Sequence, residues 1–318
     1  MQRFDVCNGD ADGLCAVVQW RLHDPSPATL VTGLKRDIAL LDRVQASAGD
    51  EVLVCDVAMQ RNAQALRRLL ELGARVRYFD HHAQGEVPQH PLLEAHLDLG
   101  AEVCSSVLMD RYLQGEHRAW AAVGAYGDNL APVADRLCDD LKLDAEQRAR
   151  LRRLGEAINY NAYGDVESDV HIAPAKLYEI LIEYADPLEL LVRETIADEL
   201  DRLRRDDLQH AADIAPRRLD AHASVLLLPD AAWSRRVIGV VANELANANP
   251  QRAHAVLKPR DVHGWVVSVR APLAAPQGAD ALCQRFGGAG RAAAAGIDHL
   301  PAADVDRFIE EFAAASWG

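Results

Sequence analysis

Four short stretches carry carboxylates or imidazoles where they can act together: Asp10 with Asp12, Asp56, the tandem Asp80-His81-His82, and Asp128 followed by Asn129. Each comes at or just after an apolar run. Residues two apart in extended backbone point the same way, so Asp10 and Asp12 can address one site, and Gly9 and Gly13 permit a tight bend into the next helix. Carboxylates gathered in one pocket raise each other's pKa by like-charge repulsion unless cations offset them. Oxygen and imidazole donors without thiolates suit Mn²⁺ or Mg²⁺, and a pair of such ions is the natural chemical reading. A single Asp after a strand is ordinarily a helix N-cap, which is how Asp12 alone would be read. Four such places at successive run ends, one of them a tandem Asp-His-His, exceed what capping requires.

The elements that must position these residues alternate in type over the first 130 positions. Apolar runs at 4–7, 29–31, 52–55 and 76–79 predict strands, and amphipathic stretches at 14–22, 38–44 and 62–72 predict helices. That rhythm predicts an α/β fold with a mostly parallel sheet, whose ligands lie at the carboxyl ends of the strands. Residues 145–210 read as almost wholly helical, with one long charge-laced helix over 187–210, and a softer segment containing Pro216 comes next. Further strands are predicted at 224–228, 253–258 and 265–270, with helices at 237–246 and 304–314. The division expected is a domain over 1–210 with connecting helices, a linker over 211–222 and a second domain over 223–318.

Composition narrows the function. A net charge of -14 over 318 residues disfavours a stable grip on duplex DNA, which depends on a lysine and arginine excess. A short nucleic acid stays open as a substrate. No leader-like apolar segment or membrane-length apolar run is present, so the expectation is a cytoplasmic protein that does not contact membranes. Six scattered cysteines form no Cys-x-x-Cys pair, which argues against a zinc knuckle or a disulfide framework.

NGDADGLCA, VLVCDVAM, RYFDHH and AYGDN, in this order and spacing, resemble the four motifs of the DHH phosphoesterase superfamily. The C-terminal region resembles the DHH-associated domain that accompanies it in short-oligonucleotide phosphodiesterases and exopolyphosphatase-like members. The resemblance implies a parallel-sheet DHH domain with a helical extension, a smaller α/β domain across a cleft, and hydrolysis with two Mn²⁺ ions, Mg²⁺ being the alternative. It implies that Asp10 and Asp56 hold one ion and that Asp12, Asp56, His81 and Asp128 hold the other. Asp80 then orients its neighbours, and His82 contacts the scissile phosphate or assists the leaving oxygen. Many members carry His four residues before the first Asp, where this chain has Val6, and another branch has an acid two before it, where this chain has Asn8. Asn8 is therefore a weak candidate ligand.

The run Phe286-Gly287-Gly288-Ala289-Gly290-Arg291 is open to three readings. A dinucleotide fingerprint fails because 279–285 reads as a helix where a strand is required. A packing turn is the second. The third, which the resemblance favours, is a phosphate cradle: Gly287, Gly288 and Gly290 let backbone N–H groups approach an anion at the start of an alanine-rich helix, and Arg291 adds a bidentate fork. Arg291 stands where the family usually has His. Arg270, at a strand end, is a second candidate clamp, with a plain surface arginine as the alternative reading, whereas Lys35 and Arg36 read as a solvated loop pair. The function expected is phosphodiester hydrolysis of short oligonucleotides or dinucleotides. The alternatives are hydrolysis of polyphosphate or pyrophosphate, removal of a 3′-phosphate from a nucleotide, and a decayed protein that only binds single strands. A homodimer is allowed but not required.

Overall fold

The computed structural model describes residues 1–317. The chain divides into two compact units at Leu203/Arg204. In the first unit the order is β1 (Arg3–Asn8), α1 (Ala11–His23), β2 (Thr29–Gly33), β3 (Glu51–Cys55), α2 (Ala63–Glu71), β4 (Arg75–Asp80), β5 (Leu93–Leu97), α3 (Ser105–Tyr112), α4 (Arg118–Gly127), α5 (Ala131–Asp140), α6 (Ala145–Asn161), α7 (Pro174–Leu181), α8 (Pro187–Arg193) and α9 (Ile196–Ala212), the last crossing the boundary. The five strands form a fully parallel sheet in the order β2-β1-β3-β4-β5.

Alternation along the strands feeds two apolar layers. Cys7, Leu53, Cys55 and Phe79 join a core with α1, α3, α4 and α6, while Phe4, Val6, Val52, Val54, Val76 and Tyr78 join a second one with α2. From β1 the chain goes first to one neighbour, β2, and then to the other, β3. The carboxyl ends of β1 and β3 therefore flank a topological switch point, where open α/β sheets bind their ligands. Residues 11–19 of α1 are all buried. Its close neighbours require small residues: a Cβ on Gly127 of α4 would stand 2.3 Å from the Ala11 Cβ and 2.8 Å from the Gly155 carbonyl. That contact brings the end of α4 against the start of α1.

The second unit contains β6 (Arg218–Leu219), β7 (Ala223–Leu227), α10 (Ala232–Ala248), β8 (Ala253–Asp261), β9 (Gly264–Arg270), α11 (Ala279–Gln284), β10 (Ala289–Arg291), β11 (Ala294–Pro301) and α12 (Val305–Ala313). Its sheet runs β10-β11-β9-β8-β7-β6, with β7 and β8 parallel and the other pairs antiparallel. Val225, Ala255, Leu257, Val267, Val269, Ala295 and Ile297 face a core shared with Leu282, Phe308 and Phe312.

Three sequence expectations need correction. The alanine-rich helix after Arg291 does not exist, because the segment is the β10–β11 hairpin. Ala295 and Ile297 are buried while their neighbours are less so, a period of two, and the short Ala tract cannot outweigh sheet pairing given the cost of helix nucleation. The expected helix at 38–44 is only a 3₁₀ turn over Leu40–Arg43. The long helix over 187–210 breaks at extended Glu194, between α8 and α9.

Candidate metal centre

The loops at one edge of the parallel sheet bring the acidic motifs together. Asp10 caps α1, its Oδ1 accepting the Gly13 N–H at 3.2 Å. Gly13 is needed there for room and not for an unusual φ, since a Cβ on it would lie 2.3 Å from the Asn8 carbonyl oxygen. Asp12, which alone would be read as the cap of its own helix, serves a different one. Its two oxygens accept the Ser105 and Ser106 N–H groups at 2.7 and 2.8 Å, the first two residues of α3. These bonds fix the carboxylate plane and leave further lone pairs on each oxygen.

Asp56 comes directly after β3 with φ at 59°, a left-handed conformation that is uncommon for a residue with a side chain and is found at functional sites where the surroundings enforce it. Its N–H donates to the Phe79 carbonyl of β4 at 3.0 Å. From the end of β4, His81 Nε2 reaches to 3.4 Å from Asp56 Oδ1 and to 3.8 Å from both Asp12 Oδ2 and Asp128 Oδ2. Asp128 is delivered by the C-terminus of α4. His82 Nδ1 lies 2.8 Å from Asp80 Oδ1 and 3.7 Å from Asp56 Oδ1. Asp80 is fully buried and also accepts the Met59 N–H.

The electrostatics are those of a site built around positive charge. Burial, reinforced by Asp10 and Asp12, holds the Asp56 carboxyl well above its ordinary range. Burial and the same two neighbours push Asp128 up to about 7. Asp10 is depressed despite its burial, because the Lys35 ammonium lies beside it. His82 is raised, first by its hydrogen bond to Asp80. Donor atoms around one ion with bonds of about 2.1 Å stand roughly 3 to 4.2 Å apart. The separations from His81 to its three carboxylates fall in that span, and the sets Asp12–His81–Asp128 and Asp56–His81–His82 each bring their donor atoms within 4.8 Å of one another. The residues present thus fit a hard divalent cation.

Two features of this region were not expected from sequence. Lys35, expected in a solvated loop pair, places Nζ 2.7 Å from Asp10 Oδ2 and 3.1 Å from Asn159 Oδ1. Arg36 does turn outward, pairing with Asp165. Val6 is fully buried in the apolar layer, and the Asn8 Oδ1 is buried without a hydrogen-bond partner.

The glycine segment lies in the second unit and lacks the helix N-terminus on which the cradle reading relied. Packing accounts for two of its glycines: a Cβ on Gly288 would be 2.3 Å from the Gly296 carbonyl oxygen, and one on Gly290 would be 2.4 Å from the Ala295 Cα. Gly287 adopts φ 76°. Arg291 is exposed on β10, in register with Ala294 of β11, which is itself in register with Arg270 of β9, so both arginines belong to one sheet face. Arg270 is held by Asn243 Oδ1 at 2.7 Å and by Ser268 Oγ at 3.1 Å, and burial lowers its pKa. His254 of β8, which belongs to none of the sequence motifs, is buried in the same row, in register with Arg270.

In sheet order and overall fold the chain is similar to solved DHH-domain structures. No protein-family model matches the chain. The single-stranded-DNA-specific exonuclease RecJ of Thermus thermophilus is 30% identical over an alignment 312 positions long that covers 86% of this chain and 45% of the exonuclease, so the chain spans less than half of that relative. The solved structure of RecJ with Mn²⁺ from the same bacterium superposes with a TM-score of 0.61 and 23% identity, covering 98% of this chain and 52% of that one. A second solved structure, of an exonuclease RecJ bound to manganese, gives 0.58 at 21% identity, covering 98% and 89%. The pGpG-specific phosphodiesterase PggH of Vibrio cholerae gives 0.56 at 16%, covering 98% and 97%.

Proposed function

We propose that this chain is a divalent-metal-dependent phosphoesterase that hydrolyses phosphodiester bonds in short oligonucleotides or dinucleotides, with Mn²⁺ as the preferred ion and Mg²⁺ as the substitute. The observation that carries the reading is the convergence of His81 Nε2 on Asp12, Asp56 and Asp128 within 3.8 Å at the sheet's switch point. Those four side chains would hold the ion. A bound divalent ion supplies Lewis acidity toward a phosphoryl oxygen and lowers the pKa of water.

The remaining roles belong to the chain's own groups. Asp80 accepts the Nδ1–H of His82, which sets the ring's orientation and tautomer and leaves Nε2 on a side chain that is 44% exposed. Raised in pKa by that bond, His82 is suited to donate an Nε2–H to a phosphate oxygen or a departing oxygen. Within the second unit, Arg270 and Arg291, with the turn at Gly287, Gly288 and Gly290, would bind a phosphate group. Exonuclease and dinucleotide phosphodiesterase names among the similar proteins support this substrate class, and the net charge of -14 favours a short substrate over a long duplex.

The test is a panel with purified protein and Mn²⁺: a linear dinucleotide, a pentaribonucleotide, polyphosphate, pyrophosphate and adenosine 3′,5′-bisphosphate, with products resolved by chromatography. The expected result is mononucleotide release from the first two. Preferential phosphate release from polyphosphate or from the bisphosphate would move the assignment to phosphoanhydride or 3′-phosphate hydrolysis. Retention of oligonucleotide without turnover of anything would replace the enzyme with a single-strand binder.

A further inference from the structure

The resemblance to the DHH motif set implies two ions, one of them at Asp10 and Asp56, but at Asp10 the chain already places a cation of its own, the Lys35 ammonium. The Asp10 Oδ1 accepts the Gly13 N–H and its Oδ2 the Lys35 ammonium, and the Asp56 carboxyl is a further side-chain neighbour. Among the described residues, the donor sets that close around a common point draw on Asp12, Asp56, His81, His82 and Asp128, and neither includes Asp10. The positions from which the motif would add ligands on this side are a fully buried Val6 and the neutral amide of Asn8.

Lys35 is also held where it is. Its N–H donates to the Ala162 carbonyl at 3.1 Å, and the Leu34 N–H donates to Asp37 Oδ2 at 2.9 Å. The Gly9 N–H donates to the Gly33 carbonyl at 3.0 Å, tying the loop after β2 to the loop after β1. The ammonium is clamped from two elements, by Asp10 at the start of α1 and by Asn159 on α6, with the side chain only 33% exposed. A divalent ion brought to Asp10 would have to displace this charge or sit against it, and like charges at contact distance inside a protein repel strongly.

We propose that the Lys35 ammonium is the resident cation at Asp10, so that the chain binds one divalent ion, through Asp12, Asp56, His81 and Asp128, where the motif set implies two. This rests on the metal-dependent reading above and specifies its ion count. Lys35 then acts as a fixed, non-exchangeable positive charge beside the metal, offsetting the carboxylate cluster and positioning Asp10.

The experiment is equilibrium dialysis against Mn²⁺ with metal analysis, paired with electron paramagnetic resonance of the bound ion, on the full chain and two variants. The parent should bind one Mn²⁺ and give the hyperfine sextet of an isolated ion. Lys35→Met should bind two and give the broadened spectrum of a coupled pair. Asp10→Asn, which keeps the shape of the cap, should still bind one ion with affinity within about threefold of the parent, and it decides the matter if Lys35→Met does not fold. Two ions in the parent would overturn the inference and leave the metal-dependent reading standing, whereas no bound ion would remove both. One ion in a folded Lys35→Met, or loss of that ion in Asp10→Asn, would also overturn it.

Discussion

Replacing Asp128 with Asn should stabilise the metal-free protein at alkaline pH while removing its activity. In the metal-free fold the Asp128 carboxyl is moved from its ordinary 3.8 to about 7, by burial first and then by Asp12 and Asp10. A carboxyl raised on folding makes the folded state bind more protons than the unfolded one, so stability is greatest below the unfolded value and falls as pH rises toward 7. At 1.36 kcal/mol per pH unit the complete loss is about 4 kcal/mol by pH 8, of which about 2 kcal/mol is already gone at pH 5.5. Asn has the same shape without the charge. Asp128→Asn should therefore gain about 4 kcal/mol at pH 8 and about half of that at pH 5.5, both in chelator. Urea titrations followed by circular dichroism measure this directly. Adding Mn²⁺ at pH 8 should stabilise the parent and not the variant, because the ion offsets the same repulsion. A variant less stable than the parent at pH 8, or a difference equal at the two pH values, would refute the electrostatic account of the cluster.

Individual contacts set other expectations. Asp80→Asn replaces the carboxylate that orients His82 with a neutral amide whose single acceptor cannot serve both His82 and the Met59 N–H, and it should lower kcat by about ten- to a hundredfold with Mn²⁺ affinity retained, measured by steady-state kinetics beside calorimetric titration. Arg270→Ala and Arg291→Ala should each raise KM more than they lower kcat, with about ten- to a hundredfold lost in kcat/KM; an unchanged KM would return the glycine segment to a packing turn. Arg21→Ala strands buried Asp5, whose two oxygens each lie 2.7 Å from the guanidinium, and should cost about 3 to 5 kcal/mol in urea unfolding with the metal site intact.

Much of the first unit was legible because its central strands are continuous apolar runs ending in turn residues. Edge strand β5, Leu-Glu-Ala-His-Leu, was not, since a half-buried edge shows neither an apolar run nor strict alternation. The Ala tract after Arg291 misled in the other direction, because helix propensity is a weak prior against pairing with β9 and burial of Ala295 and Ile297. The acids that converge on His81 could be named from sequence because each motif comes after an element that ends at the same sheet edge. Lys35 could not: a lysine in a loop ordinarily points to water, and its partner Asn159 is 124 residues away, beyond any local pattern. The one hint was that β2 is the immediate neighbour of β1, so the loop after it opens beside Asp10.

Whether metal held at Asp56, His81 and Asp128 hydrolyses a phosphodiester is tested most directly by comparing the parent with Asp56→Asn on one linear dinucleotide. Asn tolerates the left-handed backbone that this position adopts, at φ 59°, so the variant changes the ligand and not the turn. The parent should release mononucleotides in Mn²⁺, stop in chelator and resume when Mn²⁺ is restored, while folded Asp56→Asn stays at least about a thousandfold slower, some 4 kcal/mol of barrier. Chelator-insensitive cleavage by the parent, or a variant within about tenfold of it, would contradict metal-dependent hydrolysis at this centre.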